Sequence, residues 1–172
     1  SANEILSELK ASGGFTAKKL AIGTDIVENM VKDKECLRFL SFPACIIATG
    51  TRGVVKDIVK RKLFDIVITT CGTLDHDIAR AYEDYHHGEF LMDDSDLRDK
   101  GVNRLGNVLV PNESYGILLE KKMLEFLKVI YENMTDEQKK KGISTHELVW
   151  KIGELMDKDK QANKNGSIVY WC

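Results

Sequence analysis

The apolar run Asp65-Ile66-Val67-Ile68 gives way to the small and polar Thr69-Thr70-Cys71-Gly72-Thr73-Leu74-Asp75-His76-Asp77. The helical pattern Ile78-Ala79-Arg80-Ala81-Tyr82 follows. A strand dense in β-branched residues thus ends in a polar loop that starts a helix. Few local patterns narrow a fold as far. In an open α/β sheet, strand ends and helix starts converge on one crevice, and ligands bind there. Small side chains let a ligand approach the backbone, while the neighbouring acids and histidine can hold a cation or move a proton.

The preceding segments repeat this rhythm. Leu37 to Phe42 predicts a strand, ended by Pro43, which cannot donate to a ladder. Thr51 to Lys62 predicts a helix with Val54, Val55, Ile58 and Val59 as one apolar stripe, and Lys60, Arg61 and Lys62 complement the helix dipole in its last turn. Between them, Ala44-Cys45-Ile46-Ile47-Ala48-Thr49-Gly50 is small and apolar, and periodicity does not decide between buried helix and loop. Strand, loop, helix, strand, loop, helix is the order of a doubly wound, mostly parallel α/β sheet. The strand Asp65 to Thr69 is expected to be buried.

Residues 1–33 predict a helical N-terminal segment. Asn3 caps a first helix through Lys10, Gly13-Gly14 breaks it, and Thr16 caps a second with Leu20, Val27, Met30 and Val31 on one face. After a polar excursion from Tyr85 to Asp96, Leu105 to Val110 is short and apolar, and Glu113 to Asn133 predicts a long amphipathic helix. Ser144-Thr145-His146-Glu147 is a capping box opening a helix to Met156. Residues 157–166 are polar and expected to form a mobile linker. The last six residues, Ser167-Ile168-Val169-Tyr170-Trp171-Cys172, are apolar and begin an element that needs something to pack on.

The 172 residues suffice for one domain with a substantial core. A net charge of -2, from 25 basic and 27 acidic side chains, gives no bulk attraction to nucleic acid or an acidic membrane. No apolar run approaches the roughly 20 residues of a membrane span. Ser1-Ala2-Asn3-Glu4 lacks the basic-then-apolar pattern of a secretion signal. Cys36, Cys45, Cys71 and Cys172 lie far apart, so reduced thiols and a cytoplasmic location are expected.

Other groupings have plain structural readings. Cys71, Asp75, His76 and Asp77 match no common zinc spacing, and no metal is expected. Adjacent His86 and His87 point in different directions. Asp93-Asp94 reads as a helix cap, Lys139 to Lys141 as a solvated face, and Trp150 as core beside Ile143 and Leu148. Gly50-Thr51-Arg52-Gly53 is too short for a dinucleotide fingerprint by itself; close packing and a phosphate contact at a helix start are equally open to it.

Taken in order, the motifs resemble deoxyhypusine synthase, particularly its archaeal-type sequences. They are Ala48-Thr49-Gly50-Thr51-Arg52-Gly53, the Thr69 to Asp77 loop, His87-Gly88-Glu89-Phe90, Met92-Asp93-Asp94, Asn103-Arg104-Leu105-Gly106-Asn107 and Val110-Pro111-Asn112-Glu113-Ser114-Tyr115-Gly116. The resemblance covers nearly the whole chain. It implies a Rossmann-like fold, incomplete here, in an enzyme that assembles as a tetramer. Members use NAD to oxidise spermidine and transfer its aminobutyl group through an enzyme lysine to one lysine of translation initiation factor 5A. Hydride removal makes an amine carbon electrophilic, and its return fixes the new bond.

Carried over by position, Ala44, Cys45, Ile46, Ile47 and Ala48 match one NAD-binding loop, and Thr70, Cys71 and Gly72 match a second. Asp75 and His76 match a pair of acids that in eukaryotic members face spermidine and the nicotinamide. Cys45 and the alanines replace polar residues of the eukaryotic loop, and His76 replaces one acid. The family's lysine nucleophile lies in a Trp- and acid-containing C-terminal motif, which no lysine here matches. The resemblance therefore implies the N-terminal part of the enzyme, with a C-terminal partner chain carrying the nucleophile and further spermidine contacts. Two other readings share the same residues: a catalytically dead regulatory subunit, and a related enzyme that forms homospermidine.

Overall fold

A computed structural model describes residues 1–172. The chain forms two compact units, Ser1–Leu40 with Leu63–Val67, and Ser41–Lys62 with Ile68–Cys172.

The first unit holds two helices, α1 (Ala2–Ala11) and α2 (Phe15–Lys32). Ser1, not Asn3, caps α1, in a capping box with Glu4. The Gly13-Gly14 break is present. Helix α2 starts at Phe15 after Gly14, without the side-chain cap expected from Thr16. Its predicted apolar face stays largely open: Leu20 and Val27 are exposed, and only Ala21 is buried. In the same unit, the Arg38 guanidinium grips the Asp65 carboxylate with two bonds, Nε to Oδ2 at 2.9 Å and Nη2 to Oδ1 at 2.8 Å.

Strands β1 (Phe39–Phe42) and β2 (Ile66–Thr69) form a two-stranded sheet, and helix α3 (Arg52–Lys60) lies between them in sequence. The predicted strand–helix–strand–helix order is therefore present, completed by α4 (Gly72–Tyr82). The burial expected of β2 is absent: Ile66 and Ile68 are exposed. A strand loses both faces to the core only where helices cover both sides of its sheet. The α3 stripe is also split, with Val55 buried and Val54 exposed.

The larger sheet is antiparallel. Its order is β3 (His86–His87), β5 (Val108–Pro111), β4 (Val102–Leu105). The run read as one short apolar stretch is in fact part of a hairpin. Leu105 pairs with Val108, and Gly106, at φ 62, turns the chain in a conformation that favours glycine. The architecture is thus mixed α/β with two small sheets. Helix α5 (Asp94–Asp99) precedes the hairpin, capped by Asp93, whose side chain accepts from the Ser95 and Asp96 amides.

Four further helices complete the second unit: α6 (Gly116–Glu132), α7 (Asp136–Lys141), α8 (Thr145–Lys158) and α9 (Ile168–Trp171). The Ser144–Glu147 capping box opens α8 as the sequence predicts. The core joins Ile78 and Ala81 of α4, Phe126 and Ile130 of α6, Ile152 and Met156 of α8, and Val169 of α9. Trp150 is not core: it is 53% exposed, with the His146 ring edge-on to it. Helical geometry turns position 150 well away from Ile152 and Met156, which face inward.

The last residues do pack, since Ile168 and Val169 are buried. A Cβ added at Gly153 would lie 2.7 Å from the Val169 carbonyl oxygen, so α8 and α9 meet at the backbone. The stretch 157–166 carries several ties. The Asn163 amide donates to the Ala81 carbonyl at 2.6 Å, and Lys164 pairs with Asp157. Asp159 accepts from the Tyr82 hydroxyl and the buried Lys122 ammonium, each at 3.0 Å. No helix is long and apolar enough to cross a membrane.

Candidate functional site

The two loops singled out from the sequence meet within the second unit. The chain leaves β1 at Phe42, turns at Pro43, and enters a helical stretch with Ile47 and Ala48 buried, Ala44 and Ile46 half-buried, and Cys45 exposed. Gly50 ends that stretch at φ 120, so α3 starts in a new direction. On the other side, β2 ends at Thr69, and Thr70 and exposed Cys71 lead into α4.

Two contacts join the loops. The Ala44 amide donates to Thr70 Oγ1 at 3.0 Å. A Cβ placed on Gly72 would lie 2.9 Å from the Ala44 Cβ, closer than side-chain carbons normally come. Glycine at position 72 is therefore what lets them approach. A third bond lies beneath. Thr69 Oγ1 donates to the Phe42 carbonyl at 2.8 Å, so the 2.6 Å bond it shares with Thr73 Oγ1 takes its proton from Thr73. Ala44 thus joins Thr70 and Gly72, with Cys45 and Cys71 exposed at the junction and Ile47 and Ala48 buried behind it.

Asp75 and His76 follow in the first turns of α4, half-buried. Asp75 faces the Tyr115 hydroxyl. Burial and the Asp75 charge together raise that phenol above its ordinary pKa. The His76 ring stacks on Tyr115, centroids 5.0 Å apart at 28°, and its Nδ1 lies 2.8 Å from the Tyr85 hydroxyl. Burial lowers the imidazole pKa, against the opposing pull of Asp75, so the ring is held neutral near pH 7. Burial also keeps the Tyr85 phenol protonated. Arg80, one turn after His76, places its guanidinium 5.1 Å from the centre of the Tyr85 ring.

Asp77 belongs to the interior. Its side chain is fully buried and accepts from Arg52 Nε at 2.7 Å, Ser167 Oγ at 2.6 Å and the Val169 amide at 2.8 Å. The grouping of Cys71, Asp75, His76 and Asp77 is thereby divided: Asp77 faces the core, while Asp75 and His76 meet Tyr115.

Tyr85, Arg80 and Tyr115 are the members that local patterns missed. Tyr115 sits in one of the quoted motifs, and Tyr85 in the polar excursion, but no spacing links either to position 76. A groove of about 550 Å³ between α1 and α2, and another of about 330 Å³ along α5 and β4, are lined by none of these residues. With Cys45 and Cys71 exposed, the junction of the two loops forms an open shelf at the surface.

Gly72 leaves room for Ala44 to close on it, which sets the two loops side by side. The α4 N-terminus brings a positive dipole end to the same place, while its Thr73, Leu74 and Asp75 amides bond the Thr70 and Cys71 carbonyls, and Asp75 adds a half-buried carboxylate.

Comparison with known proteins identifies the lineage. The sequence model of the deoxyhypusine synthase family matches residues 4–172. A protein of Picrophilus torridus named probable deoxyhypusine synthase is 49% identical over 168 residues, which are 98% of this chain and 50% of that protein. Its namesake in Thermoplasma acidophilum is 45% identical over 97% of this chain and 50% of its own length. The chain therefore spans about half the length of the curated relatives it matches. The crystal structure of a deoxyhypusine synthase candidate from Entamoeba histolytica shares the fold, with a TM-score of 0.62 at 17% identity, over 99% of this chain and 56% of that one. With a family match over nearly its whole length, the chain belongs to the deoxyhypusine synthase family.

Proposed function

We propose that this chain is the N-terminal portion of an NAD-dependent deoxyhypusine synthase, moving the aminobutyl group of spermidine to a lysine of translation initiation factor 5A. A C-terminal partner chain supplies the lysine nucleophile and completes the Rossmann-like sheet and a tetramer or its heteromeric equivalent. The observation that carries this reading is the junction of the two loops at Ala44, Thr70 and Gly72, with Asp75 in the first turn of α4. The reading places the work in the cytoplasm, where the acceptor factor acts.

In this reading residues 44–48 and 70–72 hold NAD, which supplies hydride acceptance and return. Small side chains at Ala44 and Gly72 leave backbone within reach of the dinucleotide, and the positive end of the α4 dipole favours its phosphates. Asp75 attracts an ammonium group of spermidine, a contact strengthened where the shelf is covered and water excluded. The tightly bonded supports, Thr69 with Thr73 and Asp77 with Arg52, hold α4 in place while ligands exchange.

The test is a transfer assay. The chain is incubated with NAD, labelled spermidine and the acceptor factor, with and without the C-terminal half of an archaeal relative. Label on the factor only when both halves are present supports the proposal. Label on free polyamine instead indicates a homospermidine-type enzyme. Transfer that appears only with a full-length active homologue, and never with the C-terminal half, indicates a regulatory subunit.

A further inference from the structure

The order β3, β5, β4 leaves β4 at an edge of its sheet, and the ladder shows which of its backbone groups are free. The Asn112 amide donates to the Gly101 carbonyl at 2.9 Å, so these two residues form a bonded rung. In an antiparallel pair, bonded and unbonded rungs alternate. Asn103 with Val110 and Leu105 with Val108 are therefore the next bonded rungs. Val102 and Arg104 stand opposite Pro111 and Leu109 in the unbonded ones, so their N–H and C=O groups point away from β5. Pro111, which has no N–H, costs nothing in such a rung.

The groove of about 330 Å³ runs along that edge. One wall is formed by residues 101–104. Side chains alternate along a strand, so a hollow that touches consecutive residues follows the strand's edge and not one face. The other wall is one side of α5, with Asp94, Leu97 and Arg98 at helical spacing. Natural edges are blunted by a proline, an inward charge or a covering element. β4 contains no proline, and its one charged residue, Arg104, is spent on Asp94 and on the Phe90 and Gly106 carbonyls. The opposite edge, β3, is only two residues long. Arg98 is exposed in the groove wall, and its guanidinium bonds no other group of the chain.

We propose that the free edge of β4 is a docking site for an extended segment of another protein, which adds to the sheet as a further strand and carries a carboxylate that meets Arg98. Val102 and Arg104 offer the incoming strand two donors and two acceptors, the main-chain bonds by which added strands are held. The charges of the groove choose the occupant. Arg104 neutralises Asp94, which leaves Arg98 as the charge without a partner. An acidic side chain on the docking strand supplies that partner and fixes the strand's register. A second copy of this chain would offer β4 itself, Val102-Asn103-Arg104-Leu105, which brings no acid to Arg98.

Backbone ¹⁵N NMR of the full chain reads this edge directly. In the chain alone, the Val102 and Arg104 amides are expected to exchange quickly with water, and those of Asn103 and Leu105 to be protected. The probe is an end-blocked peptide of alternating threonine and valine with one central glutamate, titrated to millimolar concentration. It is expected to shift and protect the Val102 and Arg104 amides. Replacing its glutamate by glutamine should weaken binding about tenfold, the worth of one charge-assisted bond. Arg98→Gln, a surface change, should erase the difference between the two peptides. The glutamate peptide N-methylated at alternate residues, so that it cannot donate to β4, should not bind. No response of the two amides to the glutamate peptide, an equal response to its N-methylated form, or equal affinities for the glutamate and glutamine peptides overturns the proposal. Protection of the Val102 and Arg104 amides in the chain alone that is lost on dilution would make a second copy the occupant and overturn it as well.

Discussion

Ser167 Oγ donates to Asp77 Oδ2 at 2.6 Å across 90 residues of chain, and both side chains are fully buried. The same carboxylate receives the Val169 amide and pairs with Arg52, so a single residue of α4 ties α3 and α9 to the helix that carries the candidate site. Removing one partner of a buried ion pair leaves an uncompensated charge, which costs far more than one neutral hydrogen bond. Asp77→Ala is expected to lower stability by about 3 kcal/mol or more, and Ser167→Ala by about 1 kcal/mol. Urea denaturation of the three proteins checks this. Equal losses would mean that Asp77 matters only through Ser167.

Gly72 and Ala44 predict a compensating pair. A Cβ at position 72 meets the Ala44 Cβ at 2.9 Å, so Gly72→Ala must force the loops apart. Overpacking of this kind costs about 1–3 kcal/mol. Ala44→Gly removes the opposing carbon, and the double variant is expected to recover most of the loss. Thermal unfolding of the single and double variants measures the coupling. Additive losses would show that the two positions do not share the space.

What the sequence made legible was local. The capping box at Ser144 and the cap at Asp93 bond within three residues, so their partners are neighbours in the text. The alternation of β1, α3, β2 and α4 follows from side-chain periods within each element. The Thr69 to Asp77 loop stands out because small and polar residues interrupt apolar surroundings, whereas Ala44 to Ala48 was singled out by the family resemblance. What remained hidden depends on partners far along the chain. Asp77 looked like one more acid in a polar loop until Arg52 and Ser167 enclosed it. His76 looked like a charge substitution, whereas Tyr85 and Tyr115 give it a fixed plane and a bonded nitrogen. Trp150 and the β2 isoleucines were assigned to the interior on hydrophobicity, but burial also requires a neighbour to cover them.

Asp65 predicts an acid-sensitive step in the first unit. Its hydrogen bonds and charge pairing with Arg38 pull its carboxyl from the ordinary 3.8 to about 2. A depressed acid favours the folded state at every pH above its unfolded value, and that contribution fades as pH falls toward the folded value. The stability gap between the unaltered chain and Asp65→Asn should therefore be constant from neutral pH down to the ordinary carboxyl range and then close toward pH 2. Urea midpoints for both proteins across this range check it. A gap that persists unchanged at the lowest pH would mean that the Asp65 charge is not what matters.

Asp75 separates substrate from cofactor. It sits in the first turn of α4 and faces Tyr115, three residues past the stretch where NAD is proposed to lie. Two roles compete for its charge: favourable interaction with the helix dipole, worth about 0.3–1 kcal/mol, and attraction of an ammonium group. Only the second discriminates between ligands. Asp75→Asn keeps the shape and removes the charge. In the enzyme reconstituted with the C-terminal half of a relative, it should raise the spermidine KM about tenfold or more, the scale of one charge-assisted bond. NAD affinity should change less than about fivefold, since neutralising a first-turn acid perturbs the helix end by no more than about 1 kcal/mol. Measuring spermidine KM at saturating NAD, and NAD binding by fluorescence without spermidine, isolates the two quantities. Parallel losses would mark Asp75 as a structural acid of α4 and return the spermidine contacts entirely to the partner chain.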